Sequence, residues 1–256
     1  MFSGGYYPSP HPNVNTLNFV EIATTGDAVD FGDLSVSRTA RQMGMSGTRG
    51  LFGGGGFPGL SGQRSNVIDY ITFQSGGGAN DFGDLNFPGI RHAGVSDGVR
   101  GVFCGGYSGS SPYHRLNTIQ TVNIATLGDS AFFGGLSVNA DTDGSVSDRT
   151  RGCVAGHRML IAPQTSPSST QTNIIDFITI QTKGNAVDFG DITTHGNQDG
   201  ASHGSNLTRS VNRVNSDANT IEFVTIATLG NTQDFGDSTH VAETKGGMDN
   251  SNGSIA

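Results

Sequence analysis

Four Asp-Phe-Gly segments, beginning at Asp30, Asp81, Asp188 and Asp234, are the first groups in the sequence that could do chemistry, because such a triplet holds magnesium in protein kinases. That chemistry also needs a glycine-rich loop, a strand lysine and a catalytic aspartate, and none accompanies them. The glycine pairs cannot be read as phosphate loops, since no Lys-Ser or Lys-Thr follows them. Asp141-Thr142-Asp143-Gly144 begins like a calcium loop but lacks the third acidic ligand and the downstream glutamate, so a turn is expected there. Asp33, Asp84, Asp191 and Asp237 recur and could line a cation site, although repetition points first to each bonding backbone within its own unit. The seven histidines (His11, His92, His114, His157, His195, His203 and His240) sit at scattered offsets, with no spacing that predicts a triad or a zinc site. No catalytic residue, metal site or cofactor is expected, and the protein is read as a non-enzyme.

The recurrence of these groups reflects an internal repeat. The Phe that precedes a glycine stands at Phe31, Phe82, Phe133, Phe189 and Phe235, with spacings of 51, 51, 56 and 46 residues, and the wrap-around distance is 52. Sixteen positions before each anchor stands Asn15, Asn66, Asn117, Asn173 or Asn219, and five positions before it Gly26, Gly77, Gly128, Gly184 or Gly230. The latter lie in turn sequences such as Thr25-Gly26-Asp27, which predict hairpin turns with positive φ at the glycine. The glycine after each anchor (Gly32, Gly83, Gly134, Gly190 and Gly236) predicts a bulge or a close backbone approach.

Between the Asn and the turn, both parities are apolar. Leu17, Ile68, Ile119, Ile175 and Ile221 lie on one face, with Phe19, Tyr70, Phe177 and Phe223. Val20, Ile71, Val122, Ile178 and Val224 lie on the other. β-Branched and aromatic content favours strand over helix, and burial on both faces requires a small sheet stacked between two others. Four strands in about 51 residues is the unit size of a kelch-type propeller. The expected architecture is all-β: one five-bladed propeller spanning 1–256, with four strands per blade. Gly246 to Ala256 reads like an inner strand and Met1 to Tyr6 like its successor, so the N- and C-terminal strands are expected to pair and close the ring.

Of the 256 residues, 40 are glycine and 14% are charged, and the net charge is −8, with Lys183 and Lys245 the only lysines. Clustered Lys and Arg supply most nucleic-acid affinity, so nucleic acid is not an expected partner. No apolar run approaches the ~18 to 20 residues that span a bilayer, and a soluble protein without membrane insertion is expected. Cys104 and Cys153 are read as small buried strand residues, with a bridge between neighbouring segments as the alternative.

The order of glycine-pair strand, hydrophobic strand with an acidic and an aromatic residue, turn and aromatic strand resembles the kelch repeat, with Phe where kelch units usually carry Trp. The phrases Asn-Val-Ile-Asp-Tyr-Ile-Thr, Gly-Asn-Ala-Val-Asp-Phe-Gly-Asp and Arg-Gly-Val-Phe-Cys-Gly-Gly-Tyr are similar to tandem kelch-like repeats of virion and tail-fibre proteins of marine tailed bacteriophages, cyanophages among them. The similarity covers nearly the whole chain and is weakest in the fifth unit, where Ser210-Val211-Asn212-Arg213 replaces the glycine-pair strand. It implies a virion structural or attachment component of the tail, tail fibre or capsid surface. Its implied partners are other virion proteins, a host-surface glycan, or further copies of itself within the particle. A carbohydrate-binding lectin-like propeller and a glycan-active enzyme on a propeller are the alternatives.

The loops between the glycine-pair strand and the Asn differ in every unit, whereas the turns are nearly constant. They are expected to share one face with the connection to the next inner strand, and to concentrate aromatic, His, Arg and Pro side chains there. The candidate binding residues are Tyr7, His11, Phe57, Arg64, Tyr113, His114, Arg115, His157 and Arg158, the last two in a loop running on to Gln171.

Overall fold

The computed structural model describes residues 2–5, 14–21, 23–39, 41–57, 63–108, 114–160, 169–193, 202–213 and 219–240. Among them there is no helix, and every strand pairing is antiparallel. β1 (Phe2–Gly5), β2 (Val14–Phe19) and β3 (Val29–Asp33) form the first sheet. β4 (Arg41–Met45), β5 (Arg49–Gly53), β6 (Val67–Thr72) and β7 (Asn80–Asp84) form the second. The third comprises β8 (Ala93–Ser96), β9 (Arg100–Cys104), β10 (Thr118–Asn123) and β11 (Ala131–Gly135). The fourth comprises β12 (Ala140–Ser147), β13 (Arg151–Leu160), β15 (Ile174–Thr179) and β16 (Val187–Asp191), with β14 (Ser169–Gln171) attached to β13. β17 (Ser202–Ser205), β18 (Arg209–Arg213), β19 (Thr220–Thr225) and β20 (Gln233–Asp237) form the fifth.

The repeated Phe-Gly has a single structural cause. In the second sheet Ile68 faces Gly83 and Asp69 faces Asp81, which leaves Phe82 as the extra residue of a β-bulge, and the same slip occurs at Phe31, Phe133, Phe189 and Phe235. The bulge turns the Phe into the interior, where Phe82, Phe133 and Phe189 are buried. The aspartate of each Asp-Phe-Gly segment holds the bulge. Asp30, Asp81, Asp188 and Asp234 each accept the N–H of the glycine two residues on, at 2.9 to 3.2 Å. Where Phe132 takes that aspartate's place, Gly134 alone of the five lacks a positive φ.

These glycines also set how closely the sheets stack. A Cβ on Gly83 would lie 2.5 Å from the carbonyl carbon and oxygen of Gly128, in the hairpin of the following sheet. Backbone bonds cross at the same place: Gly128 N–H to Phe82 O and Gly230 N–H to Phe189 O, both 2.8 Å. The expected bulge and the expected close approach therefore occur together. Of the hairpin glycines, Gly77, Gly128 and Gly230 have positive φ, whereas Gly26 and Gly184 do not, because their turns are closed without a left-handed residue.

The apolar residues of both parities pack between consecutive sheets, as their pattern requires. Leu17 and Leu34 meet Phe52 and Ile71 between sheets one and two, and Ile68 and Phe82 meet Phe103 and Val122 between two and three. Ile119 and Phe133 meet Val154 and Ile178 between three and four, and Ile175 and Phe189 meet Val224 and Ile226 between four and five. Burying such a side chain contributes about 1.5–3 kcal/mol, so four thin interlayers replace one thick core.

A polar residue sits in the middle of each of these apolar strands, thirteen positions before the anchor: Asn18, Asp69, Gln120, Asp176 and Glu222. The last four are buried and accept bonds from the preceding sheet. Ser35 N–H and hydroxyl donate to Asp69, Asn86 N–H to Gln120, Ser137 N–H and hydroxyl to Asp176, and Thr193 N–H and hydroxyl to Glu222. Asp69 also receives Arg38 Nη1 at 2.9 Å, and neither side chain of this pair is exposed. Burial raises the Asp176 carboxyl above its ordinary value, the Ser137 hydrogen bonds oppose the rise, and Asp188 adds to it.

Two segments differ from their sequence reading. Asp141 to Gly144 is strand rather than turn, because β12 pairs along its length with β13, from Ala140 opposite Met159 to Ser147 opposite Gly152. The same pairing draws His157 and Arg158 into β13 instead of a loop, with Thr142 and Asp141 opposite them. The pairing expected between the terminal strands falls outside the described residues. At the fifth sheet, Phe235 is 55% exposed, and among the described residues nothing stands within 4 Å of a Cβ on Gly236.

Candidate binding face

The connection after the glycine-pair strand runs beside the connection to the next inner strand, as the alternation of strands predicts. Gly55 N–H donates to Gly89 O, Gly106 N–H to Ala140 O, and Ile90 and Tyr107 exchange backbone bonds at 2.9 and 3.0 Å. Tyr107 also forms a bridge with Arg115, and Gly56 one with Arg64, so short strand-like contacts anchor the loop bases. His92, buried beneath them, has Nδ1 2.7 Å from Gly105 O. It packs so closely that a Cβ on Gly106 would lie 2.4 to 2.5 Å from its ring.

Of the sequence candidates, Tyr7, His11 and Tyr113 lie outside the described residues. Phe57 is half-buried and His114 exposed, its backbone paired with Ser108 through a 2.9 Å bond. Arg64 and Arg115 come together at Tyr107, with guanidinium carbons 5.8 and 5.6 Å from the ring centroid. Arg115 is buried rather than presented to solvent, and its Nε donates to Asp141 at 2.7 Å. The second oxygen of Asp141 takes Arg91 at 3.1 Å. His157 and Arg158 stand on the strand next to Asp141 and do not belong to the loop.

Arg91 and Tyr107 were not among the sequence candidates, and Asp141 was weighed only as the start of a calcium loop. Three residues before the inner-strand glycine stand Arg41, Arg91 and Asp141, so the residue type there is not constant and no repeat marks it. No signal in the sequence places them together, because they belong to separate segments. Burial lowers the Arg64 guanidinium from its ordinary value, Tyr107 works against the shift, and the Arg91 charge adds to it.

Cys104 and Cys153 are both buried and unbridged, and burial pushes each thiol up to about 12, with Asp176 and Asp148 respectively adding to it. Such thiols carry almost no thiolate at neutral pH and act as packing residues. Among the described residues no three His, Cys, Asp or Glu side chains gather to hold a metal ion. No described helix is long and apolar enough to cross a membrane. Comparison of the chain with protein-family models and with curated proteins finds no match. The class that the geometry defines is an all-β protein of serial antiparallel sheets, stacked through apolar interlayers.

Proposed function

We propose that the five sheets are blades of a kelch-like β-propeller that serves as a non-enzymatic structural or attachment module of a phage particle, contacting another virion protein or a host-surface component through its loop edge. The observation that carries this reading is the division of labour between residues. The repeated groups are engaged in the scaffold: the Asp caps hold the bulges, and the bulge glycines and buried polar residues hold sheet to sheet. Much of what varies in the sequence falls in the connections between strands, where recognition can change without disturbing the stack.

Ring closure is supported by groups exposed on the fifth sheet. Arg49 and Arg151 each donate to two backbone carbonyls in the hairpin of the following sheet, at 2.9 to 3.2 Å. Arg209, at the corresponding place in the fifth sheet, is exposed, as are Phe235 and Thr239. Their complements at the same offsets in the first sheet are Ala23, the turn at Gly26, and Asn18. With Asn18→Cys and Thr239→Cys in one chain, oxidation gives an intramolecular disulfide, seen as a faster-running monomer on a non-reducing gel. Disulfide-linked multimers instead would show that the fifth sheet meets another copy, and would overturn the ring.

The attachment reading is tested by Tyr113→Ala with His114→Ala, which spares the buried Arg115. The double variant is expected to reduce particle incorporation or cell-surface binding by about tenfold, the equivalent of ~1.4 kcal/mol. Unchanged incorporation together with unchanged binding would count against it. A lectin-like propeller would show the same polar and aromatic set in every blade, whereas the repeated residues here are mainly turn and core formers.

A further inference from the structure

Each sheet ends on an outer strand, β3, β7, β11, β16 or β20, which among the described residues pairs with one neighbour only. Such an edge offers unpaired backbone groups to any extended chain, and charged side chains along it keep other strands away. Four of the five edges carry that charge twice: Asp30 and Asp33, Asp81 and Asp84, Asp188 and Asp191, and Asp234 and Asp237 hold the second and fifth places of their strands. β11 reads Ala131-Phe132-Phe133-Gly134-Gly135 and has neither aspartate. Phe132 stands where the bulge aspartate stands elsewhere, so the third sheet gives up the cap on its glycine and gains a ring that is 61% exposed. A ring so exposed adds little to packing within the chain. Leu127, in the hairpin that leads into β11, is 59% exposed. The acid of that hairpin, Asp129, is turned towards the second sheet, where its Oδ1 accepts Asp84 N–H at 2.9 Å.

We propose that β11 is a self-association edge, through which two copies of the chain pair antiparallel about a two-fold axis with Phe132 facing Phe132. The occupant follows from charge. The chain carries a net charge of −8, and two copies meeting through any of the other four outer strands would set two aspartates of one against two of the other, a destabilising contact. A basic partner is drawn to those four edges in preference to β11. An uncharged edge with an exposed ring suits an edge of the same kind, and among the five outer strands that edge is β11 itself. A two-fold contact is self-complementary, so a single exposed Phe is buried twice, once in each copy. With five residues in the strand, the interface falls at the small end of protein contacts, under about 1,200 Å², and a weak, concentration-dependent dimer is expected. This contact is independent of the attachment reading, which concerns the loop edge.

The test is sedimentation equilibrium of the intact chain at loadings up to about 1 mM, the upper end of weak dissociation constants. A reversible monomer–dimer equilibrium is expected. Phe132→Asp gives β11 the residue that the other four outer strands carry, where it accepts the N–H of the glycine two places on. The variant should therefore melt at no lower temperature than the parent in dilute solution, while its dimer dissociation constant rises at least about tenfold. Phe132→Cys locates the contact: mild oxidation is expected to link it into a disulfide dimer, whereas Val187→Cys, on the fourth outer strand and 55% exposed in the parent, stays monomeric. A chain that is monomeric at every loading overturns the proposal, as does a dimer that Phe132→Asp leaves intact, which would point to another surface. Should Phe132→Asp melt early, the cysteine comparison decides, and linkage of both cysteine variants or of neither overturns the proposal.

Discussion

Asp69→Asn destabilises the protein by about 3–5 kcal/mol, the loss seen when one member of a buried ion pair is removed and the other is left without its counter-charge. Arg38 has no exposed surface. Its Nε donates to Gly54 O and its Nη2 to the carbonyls of Phe52 and Val67, so it cannot swing to water without abandoning the second sheet. In the variant an amide replaces the carboxylate, 2.9 Å from Nη1, and the Ser35 bonds that tie the first sheet to the second lose their charged acceptor. Urea unfolding checks the magnitude, and a change below about 1 kcal/mol would refute the account. Asp176→Asn, at the same offset in the fourth sheet, is the contrast. Its carboxyl is raised by burial and further by Asp188, with the Ser137 hydrogen bonds opposing the rise. A raised acid binds its proton more tightly in the folded state, so its contribution to stability is present below the ordinary carboxylate pKa and is lost as pH rises through the raised value. At pH 7 the amide removes that cost, and Asp176→Asn is close to neutral or stabilising where Asp69→Asn is severe.

Gly83→Ala carries the other large effect. The new Cβ would stand 2.5 Å from the carbonyl carbon and oxygen of Gly128, and backbone on both sides leaves no flexible end to give way. The residue also holds φ of +143°, which L side chains rarely adopt. Overpacking and backbone strain each cost roughly 1–3 kcal/mol, so a loss of about 3 kcal/mol or more is expected, together with weaker contact between the second and third sheets. Gly98→Ala separates the two causes, because Gly98 has φ of +84° with nothing within 4 Å. It should show the strain alone. Equal unfolding midpoints for the two alanine variants would mean that the sheet contact adds nothing.

Much of this architecture is legible in the sequence because it is repeated. Fixed offsets place an apolar residue on each face, and a strand covered on both sides can only be satisfied between two sheets. The pairs Ile68 with Val122 and Ile119 with Ile178 meet that demand. Phe-Gly at a constant position likewise announces a bulge. The buried polar residue thirteen positions before each anchor was visible in the same way, as a polar side chain inside a two-sided apolar strand, but its partner in the neighbouring sheet was not. Asp141 was misread as a turn because short-range turn chemistry was weighed without the long β13 that pairs with it.

The arginine cluster lay beyond reach for a different reason. Arg64, Arg91, Arg115 and Asp141 belong to four separate segments, and nothing local requires them to meet. Arg64 and Arg115 were singled out as variable-loop residues, whereas the burial of Arg115 follows only from the stacking that brings β12 beside the loop of the third sheet. The sequence by itself determined the strands, their two-sided burial and the bulges, since these follow from residue types at a constant spacing along the chain. The tertiary structure alone decided which charges share a carboxylate, because that depends on distances between sheets that no one-dimensional period encodes.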